Sequence, residues 1–440
     1  MGYRIMRRYP KNKESGVKWI GEIPVHWNVK RAKFIFRLMH RPVRAQGEII
    51  TAFRDGTVTL RKNRRALGFT NSLKEIGYQG LRKGDLVIHA MDGHAGAIGV
   101  SDSDGKSSPV YSACRPISHE NVYYFAYLLR QIALSGFIQS LARGVRERST
   151  EFRFNEFKEI ELLVPPISEQ TQIAAFLDHK TRQIDELIRV KERKIELLQE
   201  QRTALINQAV TKGLDPNVEM KPSGVPWIGV IPAHWRVKRL KHTSKIVASY
   251  VDKHVNPDEI QVNLCNYTDV YYSEKIDSSI NLMKGSCNQN EYDRSLLRKG
   301  DVVITKDSES PDDIGVPAFI QVDLTNVVCG YHLSIIRSEN EVDGEFLFRF
   351  IQSNLTCRFF GSNSTGITRF SLGKSAIENL SILLPPLPEQ TQIAAFLDRK
   401  TAQVDELISE EQRSIELLKE YRQSLISDAV TGKIDVRSEV

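Results

Sequence analysis

Cysteine is scarce in this 440-residue chain. There are five, Cys114, Cys265, Cys287, Cys329 and Cys357, with no Cys-x-x-Cys spacing. An odd number without paired spacing excludes a disulfide framework and a zinc ribbon, and buried, reduced thiols are the expectation. Long apolar runs are also missing. No stretch of 18 apolar residues occurs, so no membrane-spanning helix is expected. The first thirteen residues are polar and basic without an apolar centre, which is not the pattern of a signal peptide. A cytoplasmic protein is expected. The marks of catalysis are missing too. There is no Gly-rich turn for AdoMet and no Asn-Pro-Pro-[Tyr/Phe] loop of the kind an adenine methyltransferase needs. Gly373, Lys374 and Ser375 look like the tail of a P-loop, but Thr368 stands where its first glycine is required. Pro257-Asp258 and Pro311-Asp312 lack the spaced acidic-x-Lys of a nuclease metal site and read as turns. The expectation is therefore no catalytic residue, no metal and no cofactor.

What is present begins with an ordinary globular composition, 41% hydrophobic and 26% charged, and a net charge of +7 that favours a polyanionic partner. The length allows two to four domains. The chain then proves to be an internal duplication. The fourteen residues from Pro165 to Asp178 return from Pro385 to Asp398 with twelve identities, an offset of 220. The opening Ser15-Gly16-Val17, with Trp19, Ile20, Gly21, His26 and Trp27, returns as Ser223-Gly224-Val225, with Trp227, Ile228, Gly229, His234 and Trp235, at an offset of 208. Between these ends likeness is faint. Leu81 to Asp85 matches Leu297 to Asp301, and Ile98-Gly99-Val100 matches Ile314-Gly315-Val316. A kept frame with changed contents suits two halves doing the same mechanical job on different targets. His26 and His234 lack a repeated nucleophile or carboxylate nearby, so they are read as structural, filling the domain start beside Trp27 and Trp235.

After each Pro-Pro a long helix is expected, with Ser168 as the first N-cap and Gly213 as the C-terminal stop. Its apolar seam steps by alternating three and four residues: Thr181, Ile184, Ile188, Lys191, Ile195, Leu198, Arg202, Leu205, Ala209. The second copy reads Thr401, Val404, Ile408, Glu411, Ile415, Leu418, Arg422, Leu425, Ala429. Such a narrow, sustained seam needs a partner helix, and the other copy supplies it. Lys191 and Glu411 are expected to face each other at the centre. The expected strands are 85–88, 161–164, 301–304 and 381–384, and the expected shorter helices are 122–142 and 345–360. The fold expected is α+β: two α/β-type domains, 15–164 and 223–384, with spacer helices 165–213 and 385–433, a linker 214–222, and the helices paired as an antiparallel coiled coil.

The paired helix starts, the paired His-Trp openings and the Lys-Gly-Asp turns before apolar strands together resemble the specificity subunit of type I restriction–modification systems, over essentially Ser15 to Asp435. The resemblance implies that each variable section is a target recognition domain reading one half of a bipartite, interrupted site in double-stranded DNA. It implies that the helices act as a spacer and dock two methyltransferase subunits, that restriction subunits join the full complex, and that the subunit itself is not catalytic. Readings from other classes are a self-sufficient modification enzyme with fused recognition domains and a coiled-coil scaffold without sequence preference.

No base-contacting residue carries over from the family, so candidates come from chemistry: basic and polar side chains on loops that reach base edges and phosphates. In the first domain these are Arg61, Lys62, Arg64 and Arg65, then Arg143, Arg146, Arg148 and Arg153. In the second they are Lys306, Thr365, Thr368, Arg369 and Lys374, with 361–369 expected as a polar loop whose two glycines allow close backbone approach.

Overall fold

A computed structural model describes residues 6–17, 20–44, 46–64, 75–141 and 152–439. The chain divides into two compact units, Met1–Lys191 with Arg413–Val440, and Glu192–Gln412. Each unit thus holds one α/β domain, the start of one long helix and the end of the other.

In the first unit a four-stranded antiparallel sheet runs in the order Phe36–Leu38, Tyr111–Pro116, Leu86–His89, Ile98–Val100. In the second the order is Ser244–Ala248, Leu333–Ser338, Val302–Thr305, Pro317–Ile320, the same plan, with a fifth strand, Lys275–Ile276, added in parallel at the edge. The second domain is the longer of the two. Continuous apolar runs such as Val302, Val303 and Ile304 make these central strands, because both of their faces are covered. A helix caps each sheet. Asn121 Oδ1 accepts from Tyr123 N at 3.0 Å and starts Val122–Leu134, and Asp343 Oδ1 accepts from Glu345 N at 3.0 Å and starts Gly344–Ile351.

Both shorter helices differ from expectation by a break. The first stops at Leu134, where Gly136 has φ 82°, and resumes as Phe137–Leu141. The second stops at Ile351, and Ser353 recaps a new helix, Asn354–Asn363. That helix also corrects the expected loop over 361–369. Gly361 is helical, and a Cβ there would meet the Pro311 carbonyl oxygen at 2.6 Å, so this glycine serves close packing.

The long helices are Ile167–Lys212 and Leu387–Val430. Ser168 is not an N-cap: the Pro166 carbonyl accepts from Glu169 N and Gln170 N at 2.9 and 3.0 Å. Gly213, at φ 75°, ends the first helix in the left-handed conformation that glycine adopts without penalty. Between 181 and 202 the residues not fully exposed are Thr181, Ile184, Ile188, Lys191, Ile195, Leu198 and Arg202, the three-and-four stepping of a coiled-coil seam. The helices run antiparallel in both units. In the first, Arg422 lies 3.0 Å from Asp185, and in the second, Arg202 lies 2.8 Å from Asp405. These are one ion pair repeated by the 220-residue offset. Glu411, expected opposite Lys191, accepts from Lys194 Nζ at 2.6 Å.

Each domain buries its core on both helices of its own unit. Ile173, Phe176 and Leu177 from one helix start, with Leu425, Ile426 and Val430 from the other helix end, join Phe36, Phe125 and Leu163. Ile393, Ala394 and Leu397, with Ile206, Ala209 and Val210, join Phe346, Phe350 and Leu383. Among the described residues no helix is long and apolar enough to cross a membrane.

Candidate DNA-recognition surfaces

The repeated residues are consumed in holding the frame. In the first unit Glu169, buried, accepts from His26 Nε2 at 2.8 Å, Trp27 Nε1 at 3.1 Å and the Tyr9 hydroxyl. Burial, then this hydrogen bond, pushes the Tyr9 phenol well above its ordinary range. In the second, Glu389 accepts from His234 Nε2 at 2.7 Å and Trp235 Nε1 at 3.1 Å. This corrects the expectation that the two histidines have no repeated carboxylate nearby: the fold brings Glu169 and Glu389 to them from more than 140 residues away, where each ties its histidine and tryptophan to a helix start. The next residue ties the helix start to the domain. Gln170 Nε2 donates to the Pro165 carbonyl at 2.9 Å while its Oε1 takes Asn121 N at 2.8 Å; Gln390 does the same with Pro385 and Asp343 N, both at 2.9 Å. The Lys-Gly-Asp turns follow the same logic. Gly84 and Gly300 supply φ 84° and 90°, and the buried carboxylates that follow fasten the neighbouring strand. Asp85 accepts from Arg82 N at 2.8 Å and Arg115 Nε at 2.6 Å, and Asp301 from Arg298 N at 2.9 Å and Arg337 Nε at 2.7 Å. Arg115 and Arg337 were missed from sequence because each lies 30 or more residues from its aspartate.

On this shared frame the two domains display unlike surfaces. In the first, Arg61, Lys62 and Asn63 form a 3-10 turn behind the hairpin Ile50–Ala52 and Val58–Leu60. Several of its polar groups already have partners. Arg61 Nε donates to Thr51 Oγ1 at 3.2 Å, Lys62 Nζ lies 2.7 Å from Glu48, and Arg64 pairs with Asp55 while lying 4.7 Å over the Phe53 ring. The hydrogen bond that Arg64 donates to Asp55 raises its pKa above the ordinary value. Arg153 lines a cleft of about 570 Å³ with His40, Arg41, Tyr78 and Tyr111. Burial raises the phenol of Tyr111 above its ordinary value. Arg65, Arg143, Arg146 and Arg148 lie outside the described residues.

In the second domain, residues expected separately come together. Asp307–Ser308 pairs with Phe370–Ser371, and the Lys306 carbonyl accepts from Leu372 N at 2.7 Å. The backbone of Lys306 is thereby tied to the end of the loop carrying Thr365, Thr368 and Arg369, all three exposed. Its ammonium donates to the Ser249 carbonyl at 3.2 Å, lies 5.4 Å over the Tyr250 ring, and is held below its usual pKa by burial. Asp307 holds His332 Nδ1 at 2.7 Å. Lys374 opens the next helix, Lys374–Glu378, 3.4 Å from Glu378. Aromatic residues on this side escaped the sequence reading, which looked for bases. Tyr267 and Tyr271 stack at 5.5 Å and 16°, and Tyr250 and Tyr272 are exposed. The four-residue spacing of Tyr267 and Tyr271 was the available signal.

Two unlike polar surfaces on one repeated frame of domain and helix define a two-headed recognition protein. The chain belongs to the family of the type I restriction modification DNA specificity domain, whose sequence pattern matches residues 65–197 and 260–417. A putative type I restriction enzyme MjaX specificity subunit of Methanocaldococcus jannaschii is 25% identical over 448 aligned residues, 95% of this chain and 96% of its own length. The MjaVIII specificity subunit of the same organism is 23% identical over 71% of each chain. Among solved structures, a chain from a study of complex assembly and conformational transition of the type I R-M system superposes with a TM-score of 0.69 at 15% identity, covering 93% of this chain and 98% of its own. The HsdS subunit from Thermoanaerobacter tengcongensis gives 0.53 at 16%, covering 94% and 98%. At these identities the structural likeness speaks for the fold.

Proposed function

We propose that this chain is the DNA sequence-specificity subunit of a type I restriction–modification complex. Each domain reads one half of a bipartite, interrupted site in double-stranded DNA. The paired helices dock two methyltransferase subunits, and restriction subunits complete the assembly in the cytoplasm. The chain contributes recognition and no catalytic group of its own. The observation that carries this reading is the division of labour between residues. Apart from the Tyr9 hydroxyl on Glu169, the bonds described for Glu169, Gln170 and Asp85 recur at Glu389, Gln390 and Asp301, while the loops displayed on that frame show little likeness in sequence. Selection for one scaffold and two targets leaves that pattern. Two modules on one scaffold also gain by linkage, since the second half-site is met at a high effective concentration once the first is bound. The test is to express the chain with its methyltransferase subunit and map methylated adenines across the host genome. A two-part motif with a fixed unread gap is expected. Methylation without such a motif, or label transfer from AdoMet by the purified chain alone, would overturn the proposal.

A further inference from the structure

The second domain presents one almost fully exposed apolar side chain at the tip of a hairpin. Thr365 and Ser371 exchange two backbone hydrogen bonds, 3.0 and 2.8 Å, and close a hairpin whose tip is Gly366, Ile367, Thr368, Arg369 and Phe370. Ile367 is 93% exposed, and no large apolar side chain among the described residues is more so. A single exposed isoleucine is ordinary on a protein surface. This one is held in place. Gly366 sits at φ 145°, and a Cβ there would meet the Arg369 carbonyl oxygen at 1.9 Å, so the tip has a backbone that only glycine permits. The stem is pinned by its pairing with Asp307–Ser308, and Asp307 is itself held by His332. The major groove of B-DNA is wide enough to admit a narrow protruding element such as this tip, closed by one backbone pair, and the base feature there that an apolar side chain recognises is the thymine 5-methyl group. Thr368 and Arg369 beside it supply a hydroxyl and a cation for base edges or phosphate.

We infer that the hairpin 365–371 enters the major groove of the half-site read by the second domain, and that Ile367 is a specificity-determining residue packing against a thymine methyl. The inference rests on the proposed function and adds to it a residue and a base. Its test uses the complex with the methyltransferase subunit and duplexes carrying the methylated site, in which each thymine in turn is replaced by deoxyuridine, removing only the methyl. For the native complex, one such replacement weakens binding about fourfold, the worth of one buried methyl-sized group. Ile367→Ala weakens binding to the all-thymine duplex by a similar factor and becomes indifferent to that replacement, while Ile367→Val retains the dependence. Because the deoxyuridine arm alters no protein residue, it stands even if a variant misbehaves. A site without a thymine in that half, indifference of the native complex to every replacement, or a methyl dependence that survives Ile367→Ala would each overturn the inference and leave the proposed function intact. Methylation with no defined two-part site would remove both.

Discussion

Removing Glu169 and removing Glu389 delete the same repeated residue, yet the structure makes the two losses unequal. The Glu169 side chain is 4% exposed and takes three donors, of which Trp27 and Tyr9 are buried. Glu389 is 26% exposed and takes two, and His234, at 44%, can turn to water. A hydrogen bond to a charged acceptor is worth about 1.5–3 kcal/mol, and each buried donor left unpaired costs about 1–3 kcal/mol. Glu169→Ala therefore costs the first unit about 3–5 kcal/mol, in line with breaking a buried charged pair. Glu389→Ala, with one buried donor orphaned and a solvated partner, costs the second unit about 1–3 kcal/mol. A domain of 150–250 residues loses about 2–4 °C per kcal/mol, so the two variants differ by about 4–8 °C. Hydrogen exchange of the strand Glu161–Val164 against the strand Ser381–Leu384 locates the damage, and calorimetry gives its size. Glu169→Gln should recover part of the loss, because its amide oxygen still accepts from Trp27 Nε1. Equal destabilisation of both units, or unchanged protection of Glu161–Val164 in Glu169→Ala, would refute this view of the carboxylate as the clasp between domain and helix.

Other consequences follow from the same geometry. A double-mutant cycle on Asp185 and Arg422 should give a coupling of about 1 kcal/mol or less, since both side chains are partly solvated; a coupling well above that would show a drier seam. Gly366→Ala should rebuild the hairpin tip and weaken recognition of one half-site, with thermal unfolding unchanged; a fall in unfolding temperature would count against a purely local role. Arg369→Ala should reduce the slope of log binding constant against log salt by about 1 if the guanidinium meets a phosphate; an unchanged slope would mean that it does not.

The sequence displayed the frame openly because the frame is repeated. The strands Glu161–Val164 and Ser381–Leu384 and the glycine stop at Gly213 follow directly from pattern. What Glu169 and Gln170 do was hidden, since a repeat marks a residue as kept without naming its partner, 142 positions away for Trp27 and 49 for Asn121. The break at Gly136 was missed because the apolar pattern of 122–142 continues across it. Ser353 was passed over for the same reason. The recognition surfaces were least legible. Composition cannot tell Lys62 and Arg64, already facing Glu48 and Asp55, from Arg369, exposed at a hairpin tip, and a search for bases overlooks Ile367 and the tyrosines.

If two independent readers share one scaffold, exchanging one reader alters one half-site and leaves the other as it was. Residues 111–153, from Tyr111 to Arg153, are replaced by the matching section of a different family member, and the chimera is expressed with the methyltransferase subunit. Methylated adenines are then mapped across the genome. The expected motif has one half changed and the other half as in the parent. A motif altered in both halves by a chimera that still folds and methylates would contradict it.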